Sequence, residues 1–224
     1  MTEDELAELI LDCPTLYHMA EEGAWGKISD IGLLSTSALL DLYKINGEER
    51  ISIEKRHRPK SIDIREESLV VARIRDQIPM SDDGLRRALP NNLPPSAWYE
   101  LLNAKTFFWL TEDRLSRLLN ARTYRDQVHD VLEVDTRSLI AAYRDSIWLC
   151  PINSGCTKPY PHPRDQSTFQ RIGTYPYASW KLKRRAGERV VELAVDHSVP
   201  DIVRFTTRVT RRKGAEIQDV LWQA

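Results

Sequence analysis

The chain has 224 residues, 42 % of them hydrophobic and 29 % charged, which is enough apolar material for a sizeable core in an ordinary globular protein. The formal net charge of -1 excludes a global field that would gather polyanions, so any nucleic-acid site has to be a local patch. No apolar run reaches the length of a membrane-spanning helix, and the acidic start Met-Thr-Glu-Asp-Glu-Leu is unlike a signal peptide, so a cytoplasmic protein without membrane contact is expected.

Residues 2–11 read as an amphipathic helix, with Leu6, Leu9 and Ile10 on one side and a Thr2/Glu5 capping box, stopped by Pro14. Leu16–Met19 is a short strand. Trp25–Ile31 is a helix closed by Gly32, and Thr36–Lys44 is a second one. Residues 47–60 are polar and basic and are expected to form a loop or mobile arm. Residues 61–77 mix β-branched and charged residues, and helices follow around 82–89 and 95–102. Thr106–Thr111 is an apolar strand, 112–120 a helix and 130–135 an alternating strand. A helix over 136–143 and a strand over 146–149 come next. Residues 151–169 form a long loop rich in Pro, Gly, Asn and Ser. A strand at 189–196, a helix or strand around 200–209 and a last strand near 217–222 complete the chain. Cys13, Cys150 and Cys156 lack CxxC spacing and are read as reduced and structural. The histidines lack paired spacing, so no metal site is expected.

Glu192 stands among Val190, Val191, Leu193 and Val195, and a Val199-Pro200 step follows. A carboxylate in an apolar strand either faces solvent, paired with Arg189 or Arg204, or is held for chemistry. Near the N-terminus, Tyr17-His18 ends a strand and Gly32-Leu33 closes the helix after it. Together these motifs resemble the ADP-ribosyltransferases, most closely their DNA-targeting toxin branch; the opening motif also resembles RNA 2′-phosphotransferases. The resemblance covers roughly half the chain and leaves about 47–104 without a counterpart. It implies an α+β fold with a split, mostly antiparallel sheet core and surrounding helices. One domain over 1–224 would carry a mid-chain elaboration at 47–104.

By that resemblance Glu192 is catalytic, Tyr17 and His18 hold the ribose and adenosine side of NAD, and Thr111 lines the nicotinamide pocket. Read from its own position, Thr111 also sits where it would cap the following helix. Asn153 and Arg164, on the long loop, suit a pyrophosphate. Members that modify protein arginine carry a second Glu or Gln two residues before the catalytic one, where this chain has Val190.

Basic runs at 55–58, 181–185 and 208–213 are either solvated faces or, if they converge, an anion-binding surface for nucleic acid or for NAD phosphates, with Tyr175, Tyr177 and Trp180 available to stack on bases. The expected function is NAD-dependent transfer of ADP-ribose to a macromolecular acceptor, DNA or RNA among them. A toxin role with an antitoxin partner is implied by the resemblance alone. The alternatives are a non-enzymatic binding module on the same fold and an RNA 2′-phosphotransferase-like activity.

Overall fold

Local signals set most of the element boundaries. The computed structural model describes residues 1–224. In chain order the elements are α1 (Glu3–Asp12), β1 (Thr15–Glu21), α2 (Ala24–Ile31), β2 (Leu33–Leu34), α3 (Thr36–Leu42), α4 (Gly47–Glu54), β3 (Ile62–Glu66), β4 (Leu69–Ile74), α5 (Asp82–Ala88) and α6 (Pro95–Asn103). Then follow β5 (Lys105–Trp109), α7 (Glu112–Leu119), β6 (Val128–Asp135), α8 (Thr136–Tyr143), β7 (Ile147–Cys150), β8 (Gln170–Arg171), α9 (Tyr177–Lys181), β9 (Glu192–Asp196), β10 (Ser198–Val199), β11 (Thr206–Lys213) and β12 (Glu216–Gln223). The capping box at Thr2 and Glu5 opens α1, and Leu6, Leu9 and Ile10 bury its inner stripe. Ser35, Ser81 and Asp135 accept backbone N–H bonds at the starts of α3, α5 and α8.

Eight strands make one antiparallel sheet in the order β12-β11-β6-β1-β5-β9-β7-β8. Its centre is not continuous. β1 pairs with β6 along its full length, from Thr15↔Asp135 to Glu21↔His129, and β5 pairs with β9 from Lys105↔Asp196 to Trp109↔Glu192. Between β1 and β5 the register holds at a single pair, Tyr17↔Trp109. The fold is therefore α+β, with two antiparallel half-sheets that touch at one point and then part.

Helices cover both faces because alternate residues of the strands are apolar on each side. On one face α1 and α8 bury a core that includes Leu9, Leu16, Leu139, Leu193 and Val195. On the other, α5 and α6 pack Leu85, Trp98 and Tyr99 against Cys150 and Ala194, while α7 seats Leu115 and Leu119 on Met19 and Val131.

The expectation of a loop over 47–60 is corrected. Gly47–Glu54 is a helix, with Glu48 and Glu49 in its first turn and a buried Ile53. Arg50 and Glu54 pair across one helical turn at 2.9 Å. The polar composition hides it because so few apolar side chains anchor it. Ile53 joins Leu40, Tyr43, Ile64, Ala72 and Ile74 in a small core beneath the β3–β4 hairpin. The strand expected at 189–196 is shorter, β9, with Glu192 as its first residue. All three cysteines are free, and no helix is long and apolar enough to cross a membrane.

Candidate active site

The parting of β1 and β5 leaves the β1-facing edge of β5 unpaired beyond Trp109, and a cleft of about 1800 Å³ runs there. His18, Thr106, Phe107, Trp109, Asn153, Ser154 and Glu192 all line it. Its far wall is the mid-chain segment, from Leu69 through Ile78. The part of the chain without a counterpart in the resemblance thus builds one side of the cleft.

Glu192 is the first residue of β9, opposite Trp109 on β5 and Cys150 on β7. Cross-strand partners share a sheet face, so Tyr17, Trp109, Glu192 and Cys150 form a row across the split. Glu192 is only 4 % exposed. The Ser154 N–H donates to both of its carboxylate oxygens, at 3.1 and 3.2 Å. Burial pushes the carboxyl up from 4.5 to about 7; the Ser154 hydrogen bond and the charges of Arg164 and Arg114 pull the other way and fall short. A group poised near neutrality can act as a base or as a counter-charge.

His18 projects from the opposite side of β1 and reaches the cleft because the strands have parted. Its Nδ1 lies 2.8 Å from the carbonyl oxygen of Phe107 on β5. Burial lowers it to about 4, with the hydrogen bond opposing that shift. The ring is therefore neutral near pH 7. A carbonyl can only accept, so the proton sits on Nδ1 and Nε2 is left as an acceptor. One side chain thus bridges the half-sheets and offers a lone pair to a ligand.

The other sequence-predicted residues divide. Asn153 lines the cleft with His18 and Glu192. Tyr17 does not; it packs beside Trp109 and Leu118 under α7. Thr111 also lies outside the lining. It occupies the N-cap of α7, where its carbonyl accepts from Arg114 and Leu115 while its buried Oγ1 has no partner. Arg164 is 3 % exposed, and its guanidinium donates to the carbonyls of Ser154 (2.7 Å), Cys156 (2.8 Å) and His162 (3.0 Å). A fork occupied by three loop carbonyls is not free for a phosphate, which corrects the reading of Arg164 as a pyrophosphate contact.

Many cations of the basic runs are spent on internal partners. Arg58 is buried, Arg211 pairs with Asp130, and Arg212 is held between Glu112 and Glu133. Lys181 pairs with Glu8, and Arg184 covers the Trp180 ring at 4.3 Å. Tyr175 and Tyr177 are 2 % and 1 % exposed, so neither can stack on a base. One cleft residue, Arg75, carries no sequence motif that points to the site. Arg75, just past β4, spends Nη1 on Met19 O at 3.4 Å and lies 3.5 Å from Glu21, with Nη2 unengaged. Ser154, next to Asn153 on the long loop, meets Glu192 through its backbone N–H, and its side chain also favours the ionised carboxylate.

Fold and site together define an α+β protein with a cleft through a split antiparallel sheet and a buried carboxyl at its floor. The chain belongs to a family of unknown function, DUF7002, whose model matches residues 14–206. No curated protein matches the sequence. Among solved structures it is similar to Thermosipho africanus DarTG in complex with ADP-ribose, at 15 % identity and a TM-score of 0.39. That match covers 87 % of this chain, which spans 43 % of the length of the other.

Proposed function

We propose that the protein takes NAD as a substrate in the split-sheet cleft and transfers its ADP-ribose to an acceptor, with Glu192 as the catalytic carboxylate. The observation that carries this reading is a single cleft lined by both His18 and Glu192, the two residues whose motifs resemble the ADP-ribosyltransferases. At about 1800 Å³ the cleft exceeds the ~300–1,000 Å³ of a small-molecule pocket, so a dinucleotide leaves room for part of a second substrate. The donor set suits it. His18 Nε2 can accept from a ribose hydroxyl, Asn153 offers a donor and an acceptor, and Arg75 has a free donor for a phosphate oxygen.

In this reaction the bond between ribose C1′ and the nicotinamide nitrogen breaks, and its electron pair leaves with the nicotinamide. The ribose becomes oxocarbenium-like, and a nearby carboxylate stabilises that charge. The acceptor then adds to C1′ and its proton passes to Glu192. Ionised Glu192 is the working form. With its carboxyl raised to about 7, kcat/KM rises with pH through neutrality and levels off above it.

The test is nicotinamide release from NAD by wild type and Glu192→Gln, with and without mixed DNA, RNA and protein acceptors. We expect a loss of about 10³-fold or more in the variant, as for removal of a principal electrostatic group. Equal turnover in the two, or none in the folded wild type under any condition, would overturn the reading. The acceptor that stimulates release names the substrate class.

A further inference from the structure

We infer that Arg164 is a positioning residue for Glu192, acting through the backbone of Ser154. The inference rests on the reading of Glu192 as the catalytic carboxylate. Residue 154 is held from both sides. Its N–H donates to the two carboxylate oxygens of Glu192. Its carbonyl accepts from Arg164 Nη1 at 2.7 Å and from Trp98 Nε1 at 3.2 Å. Arg164 also holds the carbonyls of Cys156 and His162, and its own N–H donates to Ala88 O at 2.9 Å, at the end of α5. The guanidinium stacks 5.5 Å from the Trp98 ring, and that ring is fully buried in the α5–α6 cluster.

Burying a guanidinium is unfavourable unless its fixed fork is filled. Here no carboxylate is among its hydrogen-bond partners; the fork is filled by the loop between β7 and β8. The nearest benefit of that arrangement is at Glu192. The loop presents one N–H donor to the carboxylate at a fixed place, and a positive charge stands behind it. Arg114 on α7 and the Cys150 thiol on β7 are the other titratable groups that act on Glu192, and Arg114 is already paired with Glu188. Arg164 is the cation free of carboxylate partners. A charge-assisted donor set of this kind orients an acid more firmly than a neutral one.

The experiment follows Glu192 and Ser154 directly, without relying on turnover. The Glu192 carboxyl carbon and the Ser154 amide are titrated by NMR from about pH 5 to about pH 9, the window around a carboxyl poised near neutrality. In the wild type both signals move with one midpoint. In Arg164→Gln the Glu192 midpoint rises by about one unit or more, because an opposing charge is gone, and the Ser154 response shrinks. In Arg164→Lys, which keeps the charge but not the fork, the midpoint stays while the Ser154 response shrinks and kcat falls about tenfold at unchanged KM. Unchanged midpoint and amide response in both variants would overturn the inference. Should Arg164→Gln fail to fold, a wild-type Ser154 response in Arg164→Lys would overturn it alone. Shifted titrations with no NAD turnover in the wild type would instead remove the proposed function and leave the clamp standing.

Discussion

At the residue scale, two titrating groups face one cleft with opposite proton preferences. Glu192 has a raised carboxyl, from 4.5 to about 7, and His18 a lowered imidazole, from 6.5 to about 4. Between those limits the folded state holds a proton on Glu192 that the unfolded chain releases, so this group's stabilisation falls as pH rises through the window. His18 works in the other sense: the unfolded chain binds the proton first, and stability is lost as pH falls below 6.5. His129, buried, with both ring nitrogens unpartnered and lowered to about 4, adds to the histidine side. Glu192→Gln removes only the carboxyl's slope. Urea unfolding should therefore show the variant gaining up to about 3 kcal/mol over wild type near pH 8 and nothing near pH 4.5. A gain confined to the acid side would contradict a buried, protonatable Glu192.

At the scale of elements, the two motifs that carried the resemblance meet. Gly32 ends α2 with φ 89° and leads into β2, and Val199 closes β10 with Pro200 just after it. β2 and β10 pair, Leu33 opposite Val199. A Cβ at Gly32 would stand 2.4 Å from the Pro200 Cα and 2.6 Å from its carbonyl oxygen. Glycine is needed there twice, for the backbone conformation and for the close approach. Gly32→Ala should lower stability by about 3 kcal/mol, a fall of roughly 6–12 °C in Tm for a chain of this size. Gly26, inside α2 with nothing within 4 Å of its Cβ position, is the control: Gly26→Ala should raise stability by ~0.5–1 kcal/mol. Equal effects at the two positions would show that contact with Pro200 is not what Gly32 provides.

At the scale of the whole molecule, one buried cation knits the mid-chain segment together. Arg58 is 5 % exposed and donates to the carbonyls of Ile53 (2.5 Å) and Arg75 (3.2 Å) and to Asn103 Oδ1 (2.9 Å). Asn103, at the end of α6, returns a bond to Glu54 O at 2.8 Å. This knot joins α4, the strand leading to Arg75, and α6, and so fixes the far wall of the cleft. Arg58→Gln would leave buried acceptors unpaired, and a loss of about 3 kcal/mol is expected. Hydrogen exchange should show protection falling in α4, β3 and β4 while β6, β9 and β11 keep theirs. A uniform fall across the sheet would show that the segment does not open as a unit.

The sequence by itself determined what local chemistry can write. The Thr2/Glu5 box starts α1, Gly32 stops α2, and alternation along 130–135 gives β6. Glu192 stood out because a lone carboxylate among valines is costly to bury, and it is indeed buried in the cleft. What only the tertiary structure decided is how charges and backbone groups are spent. Arg164 looks like a phosphate ligand in a list of residues, yet three carbonyls brought in by chain reversal fill its fork. The basic runs look like a polyanion surface until Asp130, Glu112 and Glu133 are placed beside them. Ser154 enters the site through an N–H that every residue but proline possesses, and α4 folds because the β3–β4 hairpin covers Ile53. Periodicity and caps act over a few residues and are legible; pairing of polar groups depends on which partners the folded loop or sheet brings within reach, and that information exists only once the chain has folded.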